Sequence, residues 1–93
     1  MSVAISLPAV LDLRAAEPLR AQILAVRGQA LTLDGASVER LGGLCLQVLL
    51  SARQTWAADG QALEIAPVSE AFSAQWDAFG APALDTDPQG QAA

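Results

Sequence analysis

The sequence contains no histidine, no lysine and no tyrosine, and Cys45 is its one cysteine. Without imidazole there is no Ser-His-Asp or Cys-His nucleophile system and no histidine metal ligand, and without lysine there is no Schiff base. No catalytic residue, metal site or cofactor is therefore expected. A single thiol cannot close an internal disulfide, so a reducing cytoplasm is the expected location. Positive charge is scarce as well: five arginines stand against ten acidic residues, giving a net charge of −5. Such a chain has no basic stripe to neutralise phosphates, which argues against nucleic acid and anionic membrane surfaces as partners. Long apolar runs are also missing. Residues 41–52 form the longest uncharged, strongly apolar stretch, well short of the roughly 20 residues of a spanning helix. The N-terminal stretch has no basic residue before Arg14 and is broken by Pro8, unlike an export signal.

What the sequence does have is core material. Apolar residues make up 53% and charged residues 16% of 93 residues, a balance that suits one compact domain and not a disordered chain. Residues 2–7 read as a strand ended by Pro8. From about Ala15 to Arg27 the helical period appears in Ala16, Leu19, Ile23 and Val26. Pro18 fits such a helix in its first turn, and Gly28 fits as its C′ residue, with Arg27 favouring the last turn. Residues 30–33 form a second strand closed by the Asp34-Gly35 turn signal. Residues 36–42 read as a loop with Val38 and Leu41 facing the core. A second helix runs from about Leu44 to Ala58, and residues 63–66 form a third strand ended by Pro67. Ser69 is placed to cap a third helix, with Phe72, Trp76 and Phe79 on one core-facing side and Gly80 at its end. Residues 81–93 are rich in Pro, Gly, Gln and Asp and read as a frayed tail, which leaves residues 1–80 as the domain. Strand and helix alternate, so the expected class is α/β, with a mainly parallel or mixed sheet of about four strands and crossover helices. With few helices, the sheet is covered mainly on one face.

The stretch Leu31-Thr-Leu-Asp-Gly-Ala-Ser-Val-Glu-Arg-Leu-Gly-Gly-Leu-Cys-Leu-Gln-Val-Leu-Leu50 resembles the STAS domain family, which includes the anti-sigma-factor antagonists. Asp34, Val38, Leu41, Leu46, Gln47, Leu49 and Leu50 fall on matching positions. Residues 7–16 look like the family's entry to its first helix, and residues 63–69 like its third major strand and the start of its last helix. The resemblance covers residues 2–80 and is nearest to the small standalone STAS proteins of bacterial chemotaxis systems. It departs at three positions: Gly42 stands where the family has Asp, Gly43 where it has the phosphorylatable Ser or Thr, and Cys45 where it has Gly. The resemblance implies signal transduction by protein binding, on a histidine-kinase-type (GHKL-type) ATPase of a chemotaxis or anti-sigma system. The missing hydroxyl at Gly43 implies that this chain is not itself phosphorylated there. The alternative implied by the same family is an accessory subunit bracing the ATPase of an ABC lipid transporter, a form that usually keeps a Thr at the position of Gly43.

On this reading the partner-binding residues are Ser37, Glu39, Arg40, Gly42, Gly43, Leu44, Gln47 and Ser51. Gly42 and Gly43 admit two compatible readings, as loop punctuation and as a corner where a partner's backbone comes close. Gln47, Ser51, Gln54 and Ala58 form a nearly uncharged stripe, which fits an interface centre and equally fits a chain short of charge throughout. Cys45, within Leu-Cys-Leu, reads as a buried small hydrophobe. Trp56, near a helix end, reads either as core or as a half-exposed contact. Asp12 and Asp34 read as cap and turn residues. Weak homodimerisation through a sheet edge is also open.

Overall fold

A computed structural model describes residues 2–82 and 84. In chain order the elements are β1 (Ser2–Ser6), β2 (Val10–Leu11), α1 (Leu13–Ala25), β3 (Ala30–Gly35), β4 (Arg40–Leu41), α2 (Gly43–Ala58), β5 (Leu63–Val68) and α3 (Glu70–Ala78). The class is α/β and the pairing wholly parallel, but the strands divide into a three-stranded sheet in the order β1-β3-β5 and a two-stranded β2-β4 ribbon. The ribbon was invisible to pattern reading because a two-residue strand shows no period. Two successive right-handed crossovers stepping in one direction place α1 and α2 on the same face of the three-stranded sheet, where they pack against each other.

Strand alternation decides what each face carries. Leu31, Leu33 and Ile65 are buried beneath the helices, with Val3, Ile5 and Leu63 half-buried beside them, while Ala4, Ser6 and Glu64 on the opposite face are exposed. The core is completed by Leu11, Leu19, Ile23, Leu49, Trp56, Phe72 and Trp76. Phe72 and Trp76 stack with centroids 5.7 Å apart, and the Arg53 guanidinium lies 5.8 Å from the Trp76 ring centroid. Cys45 is fully buried.

Several expectations are corrected. Of the two readings of Trp56, the core one holds and the half-exposed one does not: it is 1% exposed and its Nε1 donates to the Gln29 carbonyl at 2.6 Å. Phe79 is 49% exposed, because the apolar stripe of α3 runs past the rim of the core at the helix's last turn. Helix α1 starts earlier than expected, at Leu13, with the Asp12 carboxylate accepting from the Arg14 and Ala15 N–H groups. Pro18 therefore lies in the second turn and leaves the exposed Arg14 carbonyl without its helical donor. The same helix stops at Ala25, so Gly28 (φ 93°) sits in the following turn, and Arg27 pairs with Asp59 instead of capping the helix. Strand β5 continues through Pro67, which an edge strand tolerates. Beyond Gly80 (φ 74°), Ala81 and Leu84 pack against the core and the Trp76 indole N–H donates to the Pro82 carbonyl. The rest of the C-terminal stretch lies outside the described residues.

Candidate functional site

The corner between β3 and α2 is built by its own backbone first. Asp34 accepts from the Ala36 N–H at 2.9 Å, closing the turn after β3. Val38, 1% exposed, then anchors the loop in the core. The Ala9 carbonyl accepts from both the Glu39 and Arg40 N–H groups, and β4 follows β2 in register, Val10 beside Arg40 and Leu11 beside Leu41. The ladder ends where the Gly42 N–H donates to the Leu11 carbonyl at 2.8 Å, and α2 begins at once.

Helix α3 holds the same loop from the other side. The Ser69 hydroxyl donates to the Val38 carbonyl and accepts from the Phe72 N–H, so one residue caps α3 and ties it to the loop. Gln75 uses both ends of its amide: Oε1 accepts from the Leu41 N–H at 2.7 Å and Nε2 donates to the Glu39 carbonyl at 3.0 Å. Neither residue was assigned to the site from sequence. The missed signal was Gln75 itself, a polar residue next to Trp76 on a helix whose other side is core.

Ser37, Glu39, Arg40, Gly43, Leu44, Gln47 and Ser51 are exposed, and Gly42 is half-buried. They do not form one cluster. Leu44, Gln47 and Ser51 line one wall of a groove of about 510 Å³, faced across it by Glu17, Arg20 and Leu24 of α1. Those α1 residues extend the candidate surface beyond what the sequence pointed to. Ser37, Glu39 and Arg40 sit on the loop outside that groove. Exposed apolar side chains surround the corner: Leu44 at 49%, Leu13 at 75% and Phe79 at 49%.

The two glycines play different parts. A Cβ at Gly42 would lie 3.0 Å from the Leu11 carbonyl oxygen, so the close approach there is made by this chain's own backbone and not by a partner's. A Cβ at Gly43 would meet only the Phe79 ring, at 3.8 Å, an ordinary contact. With glycine at both positions, the start of α2 has no side-chain cap and no hydroxyl.

The thiol and two of the carboxylates near the corner are engaged in local hydrogen bonds. The Cys45 Sγ donates to the Asp12 carbonyl at 3.3 Å. Burial, and secondarily the nearby Asp12 charge, push its thiol above the ordinary range, which opposes thiolate formation. Asp12 and Asp34 are occupied as cap and turn acceptors. Among the described residues, no three His, Cys, Asp or Glu side chains are grouped to hold a metal ion, and no helix is long and apolar enough to cross a membrane.

A family model described as "Mlab, STAS domain" matches residues 1–83. No curated protein matches the chain.

Proposed function

The chain belongs to the STAS domain family, whose members are in general regulatory protein-interaction domains, and from that premise we propose that it docks on a histidine-kinase-type ATPase of a chemotaxis or anti-sigma system without being phosphorylated itself. The observation that carries this reading is the state of the corner at Gly43: solvent-exposed, fixed on both sides by Ala9, Leu11, Ser69 and Gln75, and stripped of a hydroxyl. A rigid, partly apolar surface loses little entropy on docking. Leu44 and Phe79 offer the apolar centre, Gln47 and Ser51 an uncharged polar continuation, and Glu39 and Arg40 a charged rim. Glycine at 43 removes the phosphate switch, so occupancy follows the amounts and the conformational state of the two proteins.

The test is Gly43→Asp. The new side chain has room beside Phe79, and an anion in the first turn suits the helix dipole, so the fold should persist by circular dichroism. It places a charge in the docking face, and binding to the purified kinase, followed by calorimetry, should be lost. Unchanged affinity, binding to an ABC-type ATPase in place of the kinase, or stoichiometric phosphate on residues 37–51 after incubation with kinase and ATP would each overturn the reading.

A further inference from the structure

The two outer strands of the three-stranded sheet are protected very differently. Strand β5 carries Glu64 and Pro67, a charge and a residue without an N–H, both of which discourage further pairing. Strand β1 reads Ser-Val-Ala-Ile-Ser and has neither charge nor proline, and among the described residues no strand lies beyond it. The ladder geometry shows which backbone groups are left over. The Leu7 N–H donates to the Asp34 carbonyl of β3 at 2.8 Å. In a parallel pair, alternate residues face the neighbouring strand, so Val3 and Ile5 also face β3, and the N–H and C=O groups of Ser2, Ala4 and Ser6 point outward.

We infer that the β1 edge is a self-association site, at which a second copy of this chain adds its own β1 antiparallel about Ala4. The edge is self-complementary: read antiparallel about Ala4, an uncharged apolar strand meets the same strand, the patch-to-same-patch contact of a two-fold interface. With Ala4 opposite Ala4 of the second copy, each outward-facing residue meets another outward-facing one and exchanges both backbone hydrogen bonds with it. Val3 falls opposite Ile5 of the second copy on the helix-covered face, extending the half-buried apolar row already there, and β-branched cross-strand pairs of that kind are favourable. The open face brings small Ala4 side chains together, with no charge to repel. Helix α1 does not oppose this approach: its charged Glu17 and Arg20 line the groove toward α2, and the helical period puts Arg14, Pro18, Gln22 and Ala25 on another face, where a two-fold sets the two Arg14 residues at opposite ends of the facing helices. No residue of this edge belongs to the kinase-docking surface, so the two claims stand or fall separately.

Sedimentation equilibrium of the full chain tests the inference. The wild type should show a monomer–dimer equilibrium at concentrations up to about 1 mM, the weak range expected for a short strand pairing. Ala4→Pro removes an outward N–H that the internal ladder does not use and should abolish the dimer while circular dichroism stays native. Ala4→Lys and Ala4→Glu alone should each weaken it about fivefold through like charges placed opposite one another, and their equimolar mixture should recover it. A wild type that stays monomeric to about 1 mM, a folded Ala4→Pro that dimerises like the wild type, or a Lys/Glu mixture no tighter than either variant alone would each overturn it.

Discussion

Two adjacent glycines, chemically identical, stand in environments that demand opposite responses to a single methyl group. At position 42 the Cβ would press on the Leu11 carbonyl oxygen at 3.0 Å, and that oxygen cannot retreat because it already accepts the Gly42 N–H in the β2-β4 ribbon. At position 43 the nearest atom is the rim of a half-exposed phenyl ring at 3.8 Å, and the residue is the first of α2. Gly42→Ala should therefore destabilise the protein by about 1–2 kcal/mol, through strain at the corner together with a poorer N-cap residue. Gly43→Ala should be neutral or stabilising by about 0.5–1 kcal/mol, because alanine restricts the unfolded chain and suits a helix. Urea titration of the two variants decides it, and equal effects would mean the corner is not held as described. The sequence showed that both positions lack a side chain but not why, since the reason at 42 is a backbone atom more than 30 positions away in the chain.

Among the elements, α3 does more than its length of nine residues implies. It buries Phe72 and Trp76 in the core and, with Ser69 and Gln75, holds three backbone positions of the segment that leads into α2, at Val38, Glu39 and Leu41. Ser69→Ala removes an N-cap acceptor and also leaves the Val38 carbonyl, in a buried residue, without that donor. Its expected cost is about 1–3 kcal/mol. Gln75→Ala removes only the loop clamp and should cost less, about 1 kcal/mol by the ordinary net value of hydrogen bonds, while weakening kinase binding through a looser corner. Chemical denaturation and calorimetry on the same samples separate the two effects; a Gln75→Ala variant that binds like the wild type would detach the clamp from function. The helices and long strands were legible because each repeats its apolar period several times, and the Ser69 cap because serine precedes an acidic first turn. What stayed hidden depends on tertiary placement: the pairing of β2 with β4, the burial of Trp56 at the end of α2, and the overhang of Phe79, where the helical period continues but the core does not.

For the whole molecule, the residues that are absent make one buried group measurable. Burial holds the Cys45 thiol above its ordinary value of 9.0, with the Asp12 charge acting in the same direction. The folded state thus binds the thiol proton more tightly than the unfolded chain does. A group raised in this way contributes stability that is complete below its unfolded pKa and is lost as pH climbs through the window between the unfolded and folded values. In most proteins this loss would be masked by lysines and tyrosines titrating over the same range. This sequence has neither, and its arginines titrate far higher, so Cys45 is the one side chain whose ordinary pKa falls there. The unfolding free energy of the wild type should be level from neutral pH to about 8 and decline above about 9. In Cys45→Ala, which pays a constant packing cost at every pH, that alkaline decline should be missing. The difference between the two curves, measured by urea unfolding under reducing conditions, should narrow steadily as pH rises. Parallel curves would mean that the thiol ionises as freely in the folded chain as outside it, and that the start of α2 is open to water where the fold requires it to be closed.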